Sequence, residues 1–169
     1  NLRRHGMVAV YQNDDLIPIE ITGPSGRAGI TNSRKTIQEN STAIHTFTAN
    51  ESVTWSLNGG ADVSRFEIAS NGALSFKSAP NYESPSDAGG NNSYVVRVKA
   101  TDLEGNASTQ TVTVSVANIK EVGSNGNDTL TGGVGNDTMR GGGGSDRIYG
   151  RAGNDSIRGG DGNDRLYGE

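Results

Sequence analysis

The chain has 169 residues, of which 25 are glycine, 31% are hydrophobic and none is cysteine, and its formal net charge is −4. The missing cysteines exclude a disulfide framework, a thiolate metal site and a cysteine nucleophile. A weakly acidic chain without a basic stripe is a poor candidate for nucleic-acid binding, and without a run of 18 apolar residues no membrane span is expected. Residues 123–169 hold 15 of the glycines, which excludes a single uniform globular domain.

Residues 1–30 are predicted to be an upstream strand and linker segment. Two short apolar runs, MVAVY and LIPIEI, flank Asn13-Asp14-Asp15, and ITGPSGRAG follows as a linker. The segment is either the end of an upstream domain or a strand that pairs with another chain, and both interpretations stay open. Its start lacks the apolar core of a signal peptide, so we expect either export by another route or an internal fragment.

Residues 31–121 are predicted to form an all-β sandwich. About seven short segments with alternating apolar residues follow one another at regular spacing, and turns such as Asn71-Gly72 separate them. The two clearest apolar faces consist of Tyr94, Val96, Val98 and Ala100, and of Val112, Val114 and Val116. No helical periodicity of useful length occurs, which favours two packed sheets.

The motifs of residues 31–121 resemble those of a bacterial cadherin-like domain. The segments that carry the resemblance are QENST (38–42), VTWSLNGGADVSRFEIASNGALSF (53–76), PNYESPSD (80–87), NNSYVVRVKATDLEGN (91–106) and TVTVSVANIKE (111–121). The resemblance implies a cadherin/immunoglobulin-like β-sandwich with calcium at the ends of the domain. The positions that match acidic and linker positions of the family are Glu39, Glu83, Asp102, Asn118 and Glu121.

The sequence departs from the cadherin pattern in two places. Asn50-Glu51 stands where the family has Asp-x-Asp, and VANIKEV replaces an Asp/Asn-rich linker. The alternative interpretation of the five matching positions is that they are ordinary loop and turn residues.

From Gly123 the chain falls into five nonapeptides without a gap: GSNGNDTLT, GGVGNDTMR, GGGGSDRIY, GRAGNDSIR and GGDGNDRLY. Each has Gly at positions 1 and 4, Asp at position 6 and an aliphatic residue at position 8. The aspartates are Asp128, Asp137, Asp146, Asp155 and Asp164. The aliphatic residues are Leu130, Met139, Ile148, Ile157 and Leu166.

This repeat predicts a coil of stacked turns that needs a cation. Glycine lets six residues wind tightly, and the last three residues form a short strand with one inward side chain, so two nonapeptides complete one turn. Aspartates 18 residues apart then stack about 4.8 Å from each other, where carboxylates repel unless a cation lies between them. Oxygen ligands favour calcium. Since one aliphatic side chain in nine residues cannot offset the entropy of ordering the chain, we expect folding to require the metal.

The tail resembles the RTX (repeats-in-toxin, hemolysin-type) family over all 45 repeat residues. The resemblance implies a parallel β-roll over residues 122–169, with about three calcium ions in the roll and room for further ions in the cadherin-like domain. In that family the ligands come from positions 2, 4 and 6 of one repeat. The remaining ligands come from positions 1, 3 and 6 of the second repeat after it.

Carried over to this sequence, the pattern gives three sites. The first consists of Ser124, Gly126, Asp128, Gly141, Gly143 and Asp146, and the second of Gly142, Gly144, Asp146, Gly159, Asp161 and Asp164. The third consists of Gly133, Gly135, Asp137, Gly150, Ala152 and Asp155. Ser124 and Arg151 replace glycine at position 2, which matters little where the ligand is a backbone carbonyl.

The sequence contains no Gly-x-Ser-x-Gly, His-Glu-x-x-His or dinucleotide-binding fingerprint, so we expect no enzyme activity in this chain. The predicted function is a calcium-binding extracellular module of a bacterial secreted or cell-surface adhesin, with calcium-induced folding of the roll. Its partner would be a cell-surface protein or carbohydrate, or a second copy of the chain. The alternatives are the calcium-stabilised C-terminal region of a secreted RTX enzyme, of the protease or lipase class, and a self-assembling extracellular filament subunit.

Overall fold

A computed structural model describes residues 17–168. Within this range the chain forms fifteen β-strands and one short 3₁₀ turn (Val63–Arg65), and it contains no α-helix. The all-β fold class predicted from the sequence is therefore confirmed.

Residues 17–117 form a β-sandwich. One sheet has four strands, in the order β2-β9-β8-β5, and the facing sheet has three, in the order β3-β7-β6, while β1 pairs with β4. The bounds are β1 Ile21–Thr22, β2 Asn32–Gln38, β3 Ala43–Thr46, β4 Thr48–Ala49, β5 Thr54–Leu57, β6 Phe66–Ile68, β7 Ala73–Phe76, β8 Ser93–Thr101 and β9 Ala107–Ala117. Strand β2 runs parallel to β9, whereas β8 and β5 are antiparallel to their neighbours.

Alternating side chains of the two longest strands fill the space between the sheets. The inward residues of β8 and β9 are buried, and they are Tyr94, Val96, Val98, Ala100, Val112, Val114 and Val116. From the facing sheet, Phe66 and Phe76 stack on each other and meet the edge of the Tyr94 ring. Because successive strand residues point to opposite faces, the polar Thr and Ser residues between the valines point outward.

The sandwich also contains residues that precede position 31. Ile19 and Ile21 are buried in the same core cluster as the valines of β8 and β9, and β1 pairs with β4 of this chain. The core thus starts earlier than the domain boundary that the sequence suggests. The run MVAVY lies outside the described residues.

Residues 120–167 form a parallel β-roll. Its two sheets have the orders β10-β12-β14 and β11-β13-β15, and every pair is parallel. The bounds are β10 Lys120–Val122, β11 Thr129–Thr131, β12 Thr138–Gly143, β13 Arg147–Tyr149, β14 Ser156–Asp161 and β15 Arg165–Tyr167. Paired residues of the roll lie 18 positions apart, for example Leu130 and Ile148, which is the two-repeat turn that the sequence predicts.

The aliphatic residues at position 8 point into the roll. Leu130, Met139 and Ile148 are buried as one cluster, and Ile157 packs against it. Leu166 belongs to the same column, since it pairs in register with Ile148, but it is 49% exposed because no further turn covers the last strand in the described chain. At the opposite end, Glu121 occupies the register position of this column opposite Met139.

Within residues 17–168, no helix has the length and the apolar character needed to cross a membrane.

Candidate metal centre

The loops of the roll stack with their backbones in close contact. A side chain at Gly160 would meet the carbonyl of Gly142, and one at Gly162 would meet the carbonyl of Gly144. Both glycines have a positive φ, of 116° and 126°, a conformation that residues with a Cβ rarely adopt. Glycine at these positions therefore lets carbonyl oxygens of one turn lie directly against the next turn.

The position-6 aspartates form two ladders, one on each edge of the roll. The amide of each earlier aspartate donates to Oδ1 of the aspartate 18 residues later: Asp128 to Asp146 at 2.9 Å, Asp137 to Asp155 at 3.0 Å, and Asp146 to Asp164 at 3.0 Å. The structure thus brings together the aspartates of each site that the repeat pattern predicts.

Two carboxylate oxygens in these ladders are buried without a hydrogen-bond partner. They are Oδ1 of Asp137 and Oδ2 of Asp146, and each of these residues is only 1% exposed. A buried acceptor without a partner is costly, and more so when it is charged. Calcium takes six to eight oxygen ligands, and one ion on each edge of the roll would satisfy these oxygens, so the residues present fit this ion.

The pKa of the Asp137 carboxyl is raised from its ordinary value. Burial is the main cause, and the nearby charges of Asp155, Glu83 and Glu121 raise it further, while the hydrogen bond donated by the Gly133 amide lowers it. The protein thus concentrates negative charge around Asp137, which a bound cation would neutralise.

The loop carbonyls predicted as ligands line the contacts between turns. Three of them accept a backbone hydrogen bond across a turn: Ser124 O from Gly143 N at 2.9 Å, Asp161 O from Gly144 N at 2.8 Å, and Ala152 O from Gly135 N at 2.7 Å. A carbonyl oxygen has two lone pairs, so each keeps one for a metal. Ser124 also donates its hydroxyl to Oδ2 of Asp128, at 2.9 Å.

In the described part of the chain, no three His, Cys, Asp or Glu side chains are grouped in a way that would hold a metal ion by themselves. A cation site in the roll would therefore also use loop carbonyl oxygens beside the aspartates. This mixed oxygen set is typical of calcium and unlike the nitrogen and sulfur ligands of zinc.

Three of the five candidates in the sandwich lie together at the end that faces the roll. Asn118 Nδ2 forms a short hydrogen bond to Oε1 of Glu83 and donates to the Asn136 carbonyl at 2.9 Å. Glu39 is 2% exposed, and its oxygens accept the amides of Tyr82, at 2.9 Å, and of Ile119, at 3.3 Å.

The pKa of the Glu39 carboxyl is raised, chiefly by burial. The two backbone hydrogen bonds lower it, and the charges of Glu83 and Asp137 raise it again. Glu39, Glu83 and Asp137 therefore belong to one electrostatic cluster, which includes both the sandwich and the roll.

The other two candidates lie elsewhere. Asp102 follows β8 in the hairpin to β9, at the opposite end of the sandwich from Asn118, and it accepts the amide and the side-chain nitrogen of Asn106, at 2.8 and 2.9 Å. Glu121 belongs to β10 of the roll, and its Oε2 accepts the Thr131 amide at 3.4 Å.

Sequence reasoning did not single out two buried carboxylates of the sandwich. Asp62 accepts the amides of Ala88, at 2.6 Å, and Val95, at 2.7 Å. Asp87 accepts the amides of Gly89, Asn91 and Asn92, at 2.9–3.1 Å. Both carboxylates organise the loop before β8. A local turn signal could have indicated Asp87, because Ser86-Asp87 is followed by Gly and Asn residues up to position 92.

The repeats of the roll match a known family. The RTX calcium-binding nonapeptide repeat matches residues 122–148 and 140–169. Residues 122–169 thus carry RTX repeats, which bind calcium. No curated protein matches the chain.

Solved structures similar to this chain are cadherin domains. They include mouse cadherin-23 EC22-24, at 13% identity over 63% of this chain and 39% of that one, with a TM-score of 0.47. Drosophila N-cadherin EC1-4 has 14% identity over 63% of this chain and 29% of that one, with a TM-score of 0.45. Protocadherin gamma B2 domains 3-6 has 21% identity over 53% of this chain and 21% of that one, also with a TM-score of 0.45. This chain thus spans less than half the length of each of these proteins.

Proposed function

We propose that the chain is a non-enzymatic, calcium-dependent module of a bacterial secreted or cell-surface adhesin. In this proposal the β-roll folds only when it binds calcium outside the cell, and the sandwich serves as a spacer or contact unit. The observation that carries the calcium dependence is the pair of buried aspartate oxygens without partners, at Asp137 and Asp146. The adhesin part rests on the sequence motifs of residues 31–121 that resemble cadherin-like domains.

Calcium stabilises such a fold by binding the native state alone. One site at 100 times its dissociation constant contributes about 2.7 kcal/mol. The small apolar cluster of the roll, three buried side chains and Ile157, cannot order its loops without such a contribution. The sandwich has a continuous core between its two sheets, so we expect it to stay folded in chelator.

Hydrogen–deuterium exchange of the full chain tests the calcium dependence of the roll. In chelator, we expect amides of residues 123–168 to exchange at the rate of an unfolded chain, while those of β8 and β9 stay protected. Millimolar calcium should protect the roll strands, and magnesium at the same concentration should not, because its octahedral demand fits this carbonyl-rich site poorly. Equal protection of the roll in chelator and in calcium would refute calcium-induced folding.

A further inference from the structure

The outward side of the sheet β11-β13-β15 carries a row of aromatic and basic side chains. Tyr149 and Tyr167 are partners in the parallel register of β13 and β15, and their rings stack with centroids 4.7 Å apart and planes 6° apart. Arg147 and Arg165 are partners in the same register. Because residues two apart on a strand point to the same side of the sheet, the arginines lie beside the tyrosines. We call these four residues the arginine–tyrosine face.

The cations of this face have no anionic partners in the described chain. Within residues 17–168, the side chains of Arg147 and Arg165 form no hydrogen bond and no ion pair, and both are exposed. Adjacent turns of the roll lie about 4.8 Å apart, so the two like charges repel each other. A bound anion would remove this repulsion.

Arg151 adds a third cation at the end of the same sheet. It follows β13 by two residues, has a φ of 67°, and its exposed side chain has no hydrogen bond or ion pair within the described range. A left-handed conformation is strained for a residue with a Cβ. Glycine, which stands at this position in the repeats before and after it, would avoid the strain. Strain without a contact inside the protein is typical of residues with a binding role.

A cleft runs along the arginine–tyrosine face beside Arg151. Its volume is about 360 Å³, and it is lined by Thr131, Tyr149, Arg151 and Tyr167. Thr131 is the register partner of Tyr149 on β11, so the cleft extends across three successive strands of the sheet. The hydroxyl groups of Thr131, Tyr149 and Tyr167 form no hydrogen bond within residues 17–168. The cleft thus offers one guanidinium and three hydroxyl groups to a ligand.

Calcium would make the roll a cationic surface. Residues 123–169 carry seven acidic and five basic side chains, so two bound calcium ions are enough to reverse the sign of their net charge. The five basic side chains are all arginines and all exposed, whereas Asp137 and Asp146 are buried. The calcium-loaded roll therefore presents positive charge to the solvent.

We propose that the arginine–tyrosine face and its cleft bind an acidic polysaccharide, with the Arg151 guanidinium holding a carboxylate in a bidentate contact. The hydroxyls of Thr131, Tyr149 and Tyr167 bind sugar hydroxyls, and the two other arginines contact further carboxylates along the chain. Single-stranded nucleic acid fits this face less well, because it binds by stacking bases on open aromatic rings, whereas these two rings stack on each other. The inference deepens the proposed adhesin function, since it names the chemistry of the partner.

Isothermal titration calorimetry of the full chain in millimolar calcium tests the site. The ligand is hexagalacturonate, and its methyl ester is the matched uncharged ligand. The wild type should bind the acid much more tightly than the ester. Arg151→Gly should weaken binding of the acid at least about tenfold, because a hydrogen-bonded charge pair is lost.

The matched control is Arg158→Gly, which removes the same charge from the other sheet of the roll. It should weaken binding less than about twofold, because distant charges are largely screened at physiological salt. Arg151→Gly should not lower the melting temperature in calcium, since the neighbouring repeats have glycine at this position. Its weaker binding would therefore not reflect unfolding of the roll.

The possible failures can be told apart. Equal weakening by Arg151→Gly and Arg158→Gly, equal affinity for the acid and the ester, or no binding by a roll that calcium has folded would overturn the polysaccharide site alone. Tighter binding of hexadeoxythymidylate than of hexagalacturonate would assign the face to nucleic acid and overturn the proposed partner. Amide exchange of the roll that does not respond to calcium would instead contradict the calcium-dependent function, whatever the sugar titration gives.

Discussion

Arg151 departs from the pattern of its own repeat. It stands at position 2, where Gly142 and Gly160 have φ values of 108° and 116°, and its own φ is 67°. A residue with a Cβ pays roughly 1–2 kcal/mol in this left-handed region. The Arg151 side chain is exposed, so the cost of this residue lies in its backbone conformation and not in side-chain packing.

Replacing Arg151 by glycine should stabilise the calcium-loaded roll by up to about 1 kcal/mol, because the strain of the left-handed conformation disappears. The control is Arg158→Gly, an exposed strand position in β14. There glycine relieves no strain and should cost about 0.5–1 kcal/mol. Calorimetric melting in calcium measures both, and a lower melting temperature for Arg151→Gly would contradict the argument.

Asp87 is a residue whose charge holds a loop. Burial raises the pKa of its carboxyl, but the amides of Asn91, Asn92 and Gly89 lower it more, so the folded-state pKa lies below the ordinary value. A depressed carboxyl pKa stabilises the fold above the unfolded-state value of about 3.9. That contribution is lost as the pH falls through the folded-state pKa.

Asp87→Asn should therefore lower the free energy of unfolding of the sandwich at pH 7 by about 1–3 kcal/mol, as expected for hydrogen bonds to a charged group. Urea denaturation in chelator measures this, with the exposed Glu104→Gln as control. The difference between wild type and Asp87→Asn should shrink as the pH falls below about 4. A difference that is constant from pH 7 to pH 3 would show that the charge of Asp87 does not matter.

At the scale of the strands, one aspartate of the roll belongs to two turns at once. Asp146 donates its amide to Asp164 and accepts that of Asp128. It stands in two of the predicted calcium sites, whereas Asp164 stands in one. The two residues thus differ in position while sharing the same chemistry.

Asp146→Asn should raise the calcium concentration at the midpoint of roll folding at least about tenfold more than Asp164→Asn does, which corresponds to about 1.4 kcal/mol. The reason is that the loss of one carboxylate weakens two sites in the first variant and one in the second. A calcium titration followed by circular dichroism measures the midpoints. Equal midpoints in the two variants would mean that Asp146 is not shared.

Most strands could be predicted from the sequence because their inward residues alternate. Val112, Val114 and Val116 indicate one buried face of β9, and the nine-residue period indicates the turns of the roll. Strand β10 could not be predicted in this way. It precedes Gly123, and its inward residue is the charged Glu121, so only the pairing with β12 identifies it as part of the roll.

At the scale of the whole molecule, the meeting of the two parts could not be derived from residue patterns. Glu39, Glu83 and Asn118 were named from a family resemblance, but nothing local in the sequence links them to Asp137. The parallel pairing of β2 with β9 brings Glu39 beside Ile119. The turn of the roll then brings Asp137 to the same end. The cluster thus depends on contacts between residues up to about a hundred positions apart.

The short connection between β9 and β10 also favours one order in which the turns of the roll fold. Each turn of a stacked repeat protein contacts only its neighbours, and starting an isolated turn is entropically costly. Strand β10 is joined to the folded sandwich by only two residues, which restricts its conformational freedom even before the roll folds. We expect the roll to fold from β10 toward Tyr167, because the folded sandwich lowers the entropic cost of forming the first turn.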